Sequence, residues 1–129
     1  MKIMLDTSAY VGFKRNAAEA VEIIVMAEQI IFSPVVMGEL MFGFRNGTRF
    51  KENMNDLNRF LEHEAVGLVP IGKITSDRYS RIAVKLREQG TPIPTNDIWI
   101  AAQAMEKGAE LITSDKHFDK INGLVHTIF

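Results

Sequence analysis

Short apolar runs alternate with longer stretches of helical periodicity along the chain, and this alternation predicts an α/β fold. The apolar runs predict strands at 2–5, 30–33, 66–71, 110–113 and 123–128. Apolar residues that recur every three to four positions predict helices at 17–28, 35–45, 49–64 and 75–88. A further predicted helix begins with Thr95 or Asn96 as its cap and ends at Lys107. Strands joined through helices run in one direction, so we expect a central parallel sheet flanked by helices.

Length and composition fit a single domain over residues 1–129, with 47% hydrophobic residues to form its core. No apolar run reaches the roughly 18 residues that span a bilayer, and the N-terminus lacks the pattern of a signal peptide, so we expect a cytoplasmic protein without a membrane partner. The chain has no cysteine, which excludes disulfides and thiolate sites. Since the net charge is −1, binding to a polyanion must depend on local patches or on metal ions.

Four acidic residues have mainly apolar neighbours, and the predicted elements bring them toward one edge of the sheet. They are Asp6, Glu39, Asp97 and Asp115. Asp6 and Asp115 each follow a predicted strand, and Asp97 lies in the first turn of a predicted helix. Binding sites in parallel sheets form beyond the carboxyl ends of the strands. We therefore treat the four acids as candidate catalytic residues of one site.

Glu39 is the acid that is hardest to explain by structure alone. It is the only charged residue between positions 34 and 44, and we expect a helix this apolar to be mostly buried. A buried carboxylate without a partner costs several kcal/mol. The structural alternative is an ion pair with an arginine from elsewhere in the chain, such as Arg45 or Arg49. For Glu39 we favour a functional role.

The other three acids have ordinary structural alternatives. Asp97 could interact with the dipole at the start of its helix, and Asp6 and Asp115 could be turn residues that hydrogen-bond their own backbone. Taken singly, the structural role is favoured for Asp97 and Asp115, while Asp6 is evenly balanced. Taken together, four acids at one edge repel one another, and divalent cations such as Mg²⁺ or Mn²⁺ relieve that repulsion.

Four segments, in order along the chain, resemble the acidic motifs of PIN domains, and more narrowly those of the VapC toxins of toxin–antitoxin pairs. The segments are LDTS at 5–8, SPVVMGEL at 33–40, TNDIWIAA at 95–102 and LITSDKHF at 111–118. The resemblance covers nearly the whole chain, and no acidic position departs from the motifs. It implies a parallel sheet flanked by helices, bound Mg²⁺ or Mn²⁺, and hydrolysis of RNA by in-line attack of water that leaves 3′-hydroxyl and 5′-phosphate ends.

The resemblance also implies a role for each acid. Asp6 and Asp97 correspond to direct metal ligands, and Asp115 corresponds to a further ligand, through water or to a second ion. Glu39 corresponds to the acid that orients water or acts as a base. Polar side chains that could hold these carboxylates in place are Thr7, Ser8, Asn96 and Ser114.

Two residues that follow Asp115 are each open to two interpretations. Asp119 is either a fifth acid of the site or a surface partner of Lys116 or Lys120. His117 is either a peripheral substrate contact or, as we favour, an exposed residue. The three histidines of the chain have no spacing typical of a zinc site.

Three partners follow from the resemblance: an RNA substrate, a VapB-like antitoxin and a second copy of the chain. Some basic residues near the motifs should contact RNA phosphates, although each one alone is better explained as a solvated charge. They are Lys14, Arg15, Arg45, Arg49, Lys116 and Lys120.

Two adjacent helices carry more apolar side chains than a small core needs, and part of this surface could receive an amphipathic antitoxin segment whose arginine reaches the acids. These side chains are Met37, Met41, Phe42, Phe44, Phe50 and Phe60.

Two other functions compete with that of a ribonuclease toxin. A receiver domain would carry a phosphate-accepting aspartate at the end of its central strand, and we predict 66–71 as the central strand, which ends without an acid. The other alternative is a PIN-domain protein that acts in RNA processing or that binds nucleic acid as a regulator without cleaving it. The presence of all four acids argues against a loss of cleavage.

Overall fold

The computed structural model describes residues 1–129 and contains five strands and six α-helices. The strands are β1 (Lys2–Leu5), β2 (Gln29–Phe32), β3 (Val66–Leu68), β4 (Glu110–Thr113) and β5 (His126–Ile128). The helices are α1 (Thr7–Lys14), α2 (Ala18–Met26), α3 (Pro34–Asn46), α4 (Phe50–Glu62), α5 (Lys73–Gln89) and α6 (Thr95–Lys107). None of these helices combines the length and the apolar character that crossing a membrane requires. The strands form one sheet in the order β3-β2-β1-β4-β5, and every neighbouring pair is parallel. The predicted α/β fold with a central parallel sheet is confirmed.

Strand β1 lies at the centre of the sheet, so the prediction that 66–71 forms the central strand is wrong. Ile3, Met4 and Leu5 are fully buried, because β1 has a neighbour on each side. Strand β3 pairs only with β2 and leaves Leu68 49% exposed at the edge of the sheet. The strand order also differs from the 2-1-3-4-5 order of receiver-type folds, which excludes the receiver alternative.

Helix α1 and a short 3₁₀ helix at Lys116–Lys120 were not predicted from the sequence. Only Ala9 and Tyr10 are buried in α1, so this helix has no apolar stripe long enough to reveal it. The helix begins where it does because the side chain of Asp6 accepts a hydrogen bond from the backbone N–H of Ala9 at 2.8 Å. A capping acid thus starts a helix directly after the central strand.

Helix α3 is less buried than its apolar sequence predicts, and the expectation of a mostly buried helix is wrong. Only Val36 and Leu40 are buried, and Phe42 is 70% exposed. Because these two buried residues are four positions apart, they form one narrow stripe against the core. Val35, Met37 and Phe44 pack against the margin of the core and are partly buried, and Glu39 is half-buried.

An aromatic cluster connects α1, β2 and α4. The rings of Tyr10, Phe32 and Phe60 meet edge to face, with centroid distances of 5.9, 5.3 and 5.7 Å. Of the apolar side chains that the sequence offered as a partner surface, Phe60 therefore packs against the core, whereas Phe42 is free at the surface.

Candidate active site

The four acids singled out from the sequence lie together at the carboxyl edge of the sheet. Asp6 follows β1, and Asp115 follows the neighbouring strand β4. Asp97 is in the first turn of α6, and Glu39 is in α3. Each of the other three carboxylates is close enough to Asp97 to raise its pKa. No lysine or arginine forms an ion pair with any of the four, so their negative charges are not compensated by basic side chains.

Asp6 is the most deeply buried of the four acids, with 5% of its surface exposed. Its Oδ1 atom accepts hydrogen bonds from the backbone N–H of Ala9 at 2.8 Å and from the hydroxyl of Ser8 at 2.6 Å. Its Oδ2 atom accepts a hydrogen bond from the hydroxyl of Thr113. Burial raises the pKa of Asp6, and these three hydrogen bonds oppose the rise. Partners from α1 and β4 therefore hold the carboxylate in one orientation.

Thr113 is a residue of the site that the sequence did not reveal. It is fully buried at the end of β4, and its hydroxyl donates to Asp6 while accepting a hydrogen bond from the backbone N–H of Asp115 at 2.9 Å. Ser8 acts beside it, since its hydroxyl accepts a hydrogen bond from the backbone N–H of Ser114 at 2.9 Å. The hydroxyl of Ser114 itself forms no hydrogen bond with any of the acids. Ser8 thus occupies the supporting position predicted for it, whereas Ser114 contributes only its backbone.

Glu39 reaches the site from α3 and is held at both carboxylate oxygens. Its Oε1 atom accepts a hydrogen bond from the hydroxyl of Thr7 at 2.6 Å. Its Oε2 atom accepts a longer one from the side-chain amide of Asn96 at 3.3 Å. Thr7 and Asn96, both predicted to hold carboxylates, therefore contact the same acid from α1 and α6.

The two arginines considered as partners of Glu39 are engaged elsewhere. The guanidinium of Arg45 lies over the ring of Phe50, 4.2 Å from its centroid. Arg49 forms an ion pair with Glu52. The interpretation of Glu39 as one half of an ion pair is therefore wrong.

A buried polar pair sets α3 against α6. Ser33, which caps α3, donates from its hydroxyl to the side-chain oxygen of Gln103 on α6, and both residues are fully buried. The amide of Gln103 donates to the carbonyl of Val69 at 3.1 Å. Because buried polar groups without partners are costly, these bonds favour one placement of the two helices. That placement brings Glu39 and Asp97 to the same edge.

Asp97 is the acid with the least support from the protein. Its side chain is 16% exposed, and its carboxylate accepts no hydrogen bond. It lies in the first turn of α6, where the helix dipole favours a negative charge. Burial and the charges of the other three acids nevertheless raise the pKa of Asp97 to about 6. A helix-dipole role alone therefore does not account for this residue.

Asp115 begins the 3₁₀ helix and brings His117 to the acids. Its Oδ1 atom accepts a hydrogen bond from the backbone N–H of His117 at 2.9 Å, as the interpretation of a turn residue requires. The Nδ1 atom of His117 lies 3.1 Å from Oδ1 of Asp115 and 3.9 Å from Oδ2 of Asp97. His117 is exposed, as expected, yet its ring contacts the site.

This set of donors fits a divalent cation. One ligand atom from each of Asp97, Asp115 and His117 can be chosen so that all three lie within 4.8 Å of one another. Carboxylate oxygens are ligands that Mg²⁺ and Mn²⁺ prefer, and the unpaired carboxylate of Asp97 is available to one. This group contains His117, whereas the ligand set predicted from the sequence contains Asp6 in addition to Asp97 and Asp115.

Asp119 lies outside the acidic cluster. Its Oδ1 atom is 2.8 Å from Nε2 of His126 on β5, and it forms no ion pair with a lysine. The side chain therefore points toward β5, the outermost strand of the sheet. Both sequence interpretations of Asp119, as a fifth acid and as a partner of Lys116 or Lys120, are therefore wrong.

A groove of about 390 Å³ adjoins the site at Glu39 and Thr7. Its lining includes the basic residues Lys14 and Arg15 and the amide of Asn53. Two of the six basic residues considered for RNA contacts thus line a groove that also contains one of the four acids. Asp56 lines the same groove, and its Oδ2 atom is 3.6 Å from Nζ of Lys14. Arg15 is therefore the basic residue of the groove without an acidic partner, and a free guanidinium suits a phosphodiester backbone.

Comparison with known proteins gives matches over nearly the whole chain. The sequence matches the PIN-domain family over residues 3–124. It is 30% identical over 129 residues to the ribonuclease VapC1 of Haemophilus influenzae, in an alignment that covers 96% of this chain and 95% of the relative. It is 26% identical over 130 residues to the ribonuclease VapC2 of Rickettsia felis, covering 97% of this chain and 96% of that one.

Solved structures have the same fold. The structure of VapBC-1 from nontypeable Haemophilus influenzae contains a chain with a TM-score of 0.86 and 26% identity, with 99% of this chain and 98% of that chain covered. The structure of VapBC2 from Rickettsia felis, bound to a DNA fragment from their promoter, contains one with a TM-score of 0.86 and 24% identity, with 100% and 99% covered.

Proposed function

The chain belongs to the PIN-domain family, among its VapC ribonucleases, and from this premise we propose that it is a metal-dependent endoribonuclease that hydrolyses RNA phosphodiester bonds. We also propose that it is the toxin of a toxin–antitoxin pair, which inhibits translation and growth by cutting RNA in the cytoplasm. The observation that carries the proposal is Asp97, a largely buried carboxylate that accepts no hydrogen bond and faces three other acids. Such a group is stabilised by a bound cation.

The proposed metal ligands are Asp97, Asp115 and Asp6. Asp97 has both carboxylate oxygens free of hydrogen bonds, and Asp115 is beside it. Oδ2 of Asp6 accepts only the hydrogen bond from Thr113, so it keeps a lone pair for an ion. When bound there, Mg²⁺ or Mn²⁺ would offset the negative charge of the acids, lower the pKa of coordinated water and stabilise the charge that develops on the phosphate.

Glu39 is the proposed base. Because Thr7 and Asn96 hold its carboxylate, Glu39 can orient a water molecule for in-line attack and accept its proton. The new bond joins the oxygen of water to phosphorus, the bond from phosphorus to the 3′-oxygen breaks, and the leaving 3′-oxygen takes up a proton from solvent. The products are a 3′-hydroxyl on one fragment and a 5′-phosphate on the other.

The groove beside Glu39 is the proposed path of the RNA strand. Arg15 lines it without an acidic partner and would contact a phosphate next to the cleaved bond, while Lys14 would exchange its ion pair with Asp56 for one with a phosphate. Binding of RNA to a variant that cannot cut, such as Asp97→Asn, should then weaken steeply as salt is raised. A flat salt response would contradict phosphate contacts along this groove.

The experiment that tests the proposed function is cleavage of RNA by the purified chain with and without EDTA, followed by mapping of 5′-phosphate ends. We expect internal cuts with 5′-phosphates when Mg²⁺ or Mn²⁺ is present, and none in EDTA. The matched control is Asp77→Asn, an exposed aspartate paired with Arg81 outside the site, which should cut like the wild type. Cleavage that persists in EDTA, or that is undiminished in Asp97→Asn, would contradict the proposal.

The proposed partners are a VapB-like antitoxin and a second copy of the chain. A groove of about 450 Å³ with a mainly apolar lining, which includes Phe13, Ile24 and Phe60, is suited to an amphipathic segment of the antitoxin. Coexpression with a small reading frame immediately upstream should yield a stable complex, and light scattering should detect a homodimer. Failure to copurify, together with a strict monomer at high concentration, would contradict this part of the proposal. The same experiment distinguishes the two functions, because a toxin should have an antitoxin encoded immediately upstream and a protein of RNA processing should not.

A further inference from the structure

We propose that His117 is a nitrogen ligand of the divalent ion and that the site therefore prefers Mn²⁺ to Mg²⁺. This inference rests on the metal site of the proposed function and adds a residue to it. His117 is not one of the four acids, and it reaches the site only because the 3₁₀ helix follows Asp115 directly. Its ring lies at the mouth of the acidic cluster, with 48% of the side chain exposed.

The distances among the three side chains match those of ligands around one ion. With metal–ligand bonds of about 2.1 to 2.2 Å, neighbouring ligand atoms of an octahedron are roughly 3 Å apart and opposite ones roughly 4.3 Å apart. Nδ1 of His117 is 3.1 Å from Asp115 and 3.9 Å from Asp97. The chosen ligand atoms of all three residues are within 4.8 Å of one another. One ion can therefore contact all three with small side-chain adjustments.

The backbone keeps the imidazole close to this position. The N–H of His117 donates to Oδ1 of Asp115 at 2.9 Å, which ties the residue to one of the proposed ligands. A hydrogen bond between the ring and Asp115 is the simpler account of the 3.1 Å contact. An imidazolium that pairs with both carboxylates would also account for the 3.9 Å approach of Nδ1 to Asp97. Binding of a metal ion distinguishes the two accounts, because a coordinated nitrogen carries no proton.

A nitrogen donor changes which ion the site prefers. Mg²⁺ binds oxygen ligands and retains several waters, so it gains little from an imidazole. Imidazole nitrogen is a softer donor than a carboxylate oxygen. Mn²⁺ binds such donors most weakly among the first-row ions from manganese to zinc, but it accepts a nitrogen ligand more readily than Mg²⁺ does. Adding His117 to the proposed carboxylate ligands therefore raises the affinity for Mn²⁺ more than that for Mg²⁺.

The test combines pulsed electron paramagnetic resonance of bound Mn²⁺ with titration calorimetry of Mn²⁺ and Mg²⁺, all on the full chain without RNA. The wild type should show modulation from a coordinated imidazole nitrogen, and labelling histidine with ¹⁵N should shift it. His117→Ala should abolish the modulation and weaken Mn²⁺ binding on the order of tenfold, with less than about a twofold effect on Mg²⁺. The control His63→Ala changes an exposed histidine outside the site and should leave both affinities unchanged.

Bound Mn²⁺ without nitrogen modulation in the wild type would overturn the inference, and so would equal losses of Mn²⁺ and Mg²⁺ affinity in His117→Ala. Because the wild-type spectrum needs no substitution, a folding defect in the variant cannot obscure the result. If the nitrogen signal is absent but RNA is still cut, only His117 is excluded as a ligand. If the signal is present but no RNA is cut, the nuclease proposal fails while the ligand assignment stands. Absence of any Mn²⁺ binding contradicts both.

Discussion

The two sides of the acidic site support their carboxylates differently. Asp6, at the end of the central strand, is 5% exposed and accepts three hydrogen bonds from α1 and β4. Asp97, in the first turn of α6, has a side chain that is 16% exposed and accepts none. Burial raises the pKa of both. Burial is therefore accompanied by hydrogen bonds to the carboxylate at Asp6 and by none at Asp97.

The two acids therefore differ in what they contribute to the stability of the fold, although both are proposed to bind the ion. The hydrogen bonds of Asp6 start α1 and tie that helix to β4, and they offset part of the cost of burying this charge, although burial still raises the pKa of Asp6. Asp97 forms no such bond, and its ionised form opposes folding because it is buried among like charges. A residue that destabilises the isolated protein is expected where a ligand completes the site.

The largest expected effect is on cleavage, where the two sides should behave alike. Asp6→Asn and Asp97→Asn each remove a proposed ligand, and each should lower the rate of RNA cleavage by on the order of 100-fold or more. Single-turnover cleavage with saturating metal measures this. If one variant retains the wild-type rate, that acid does not hold the ion.

The Asp97 side and the Asp6 side of the site should differ in how substitutions change the free energy of unfolding, an effect smaller than that on cleavage. Without metal at pH 8, Asp97→Asn should raise the free energy of unfolding by at most about 3 kcal/mol, because it removes a carboxylate whose pKa rises from 3.8 to about 6 on folding. Urea unfolding in EDTA measures the difference between variant and wild type.

The pH dependence of this difference follows from the direction of the pKa shift. Between pH 4 and 6 the folded state holds more protons on Asp97 than the unfolded state does, so wild-type stability falls as pH rises through this window. The advantage of Asp97→Asn should therefore be near zero at about pH 4 and complete above about pH 7. A gain that is independent of pH, or a loss of stability at pH 8, would show that Asp97 is paired within the folded protein.

Removing a support of Asp6 should have the opposite sign. Thr113→Val takes away a buried hydrogen bond to Asp6 at nearly constant volume and should lower the free energy of unfolding by about 1 to 3 kcal/mol. Ser114→Ala is the matched control, because that hydroxyl contacts none of the acids, and it should change stability by less than about 0.5 kcal/mol. Equal effects of the two substitutions in urea unfolding would contradict the role of Thr113.

The smallest expected effect concerns Asn96, the exposed contact of Glu39. Its hydrogen bond is 3.3 Å long, so Asn96→Ala should change stability by less than about 0.5 kcal/mol. Thermal unfolding in EDTA checks this value. A loss above about 1 kcal/mol would mean that the α6 side of the site depends on hydrogen bonds as the Asp6 side does.

The positions of the four acids could be predicted because strong local patterns surround them. Asp6 and Asp115 follow short apolar strands, and Asp97 opens an apolar helix, so periodicity and the topology of parallel sheets bring them to one edge. Glu39 stood out because its helix has no other charge over 34–44. The same apolar composition led to a wrong prediction of burial, since only Val36 and Leu40 of α3 are fully buried.

The features that could not be predicted depend on contacts between distant parts of the chain. Thr113 resembles any β-branched strand residue, and only the pairing of β1 with β4 gives its hydroxyl to Asp6. His117 is a local exception, since it lies two residues after Asp115 and reaches the acids through a 3₁₀ turn that has no apolar period to reveal it. The order of the strands is equally nonlocal, which is why β3 was expected at the centre and lies at the edge.

Thermal unfolding with increasing Mg²⁺ or Mn²⁺, for the wild type and Asp97→Asn side by side, tests most directly whether the unsupported carboxylate completes a cation site. An ion that binds only the folded state stabilises it by about 2.7 kcal/mol at a concentration 100 times its Kd. The wild type should therefore melt at higher temperatures as metal is added, while the Tm of Asp97→Asn stays nearly constant. A wild-type Tm that does not respond to either ion, or an equal rise in Asp97→Asn, would contradict the proposed metal site.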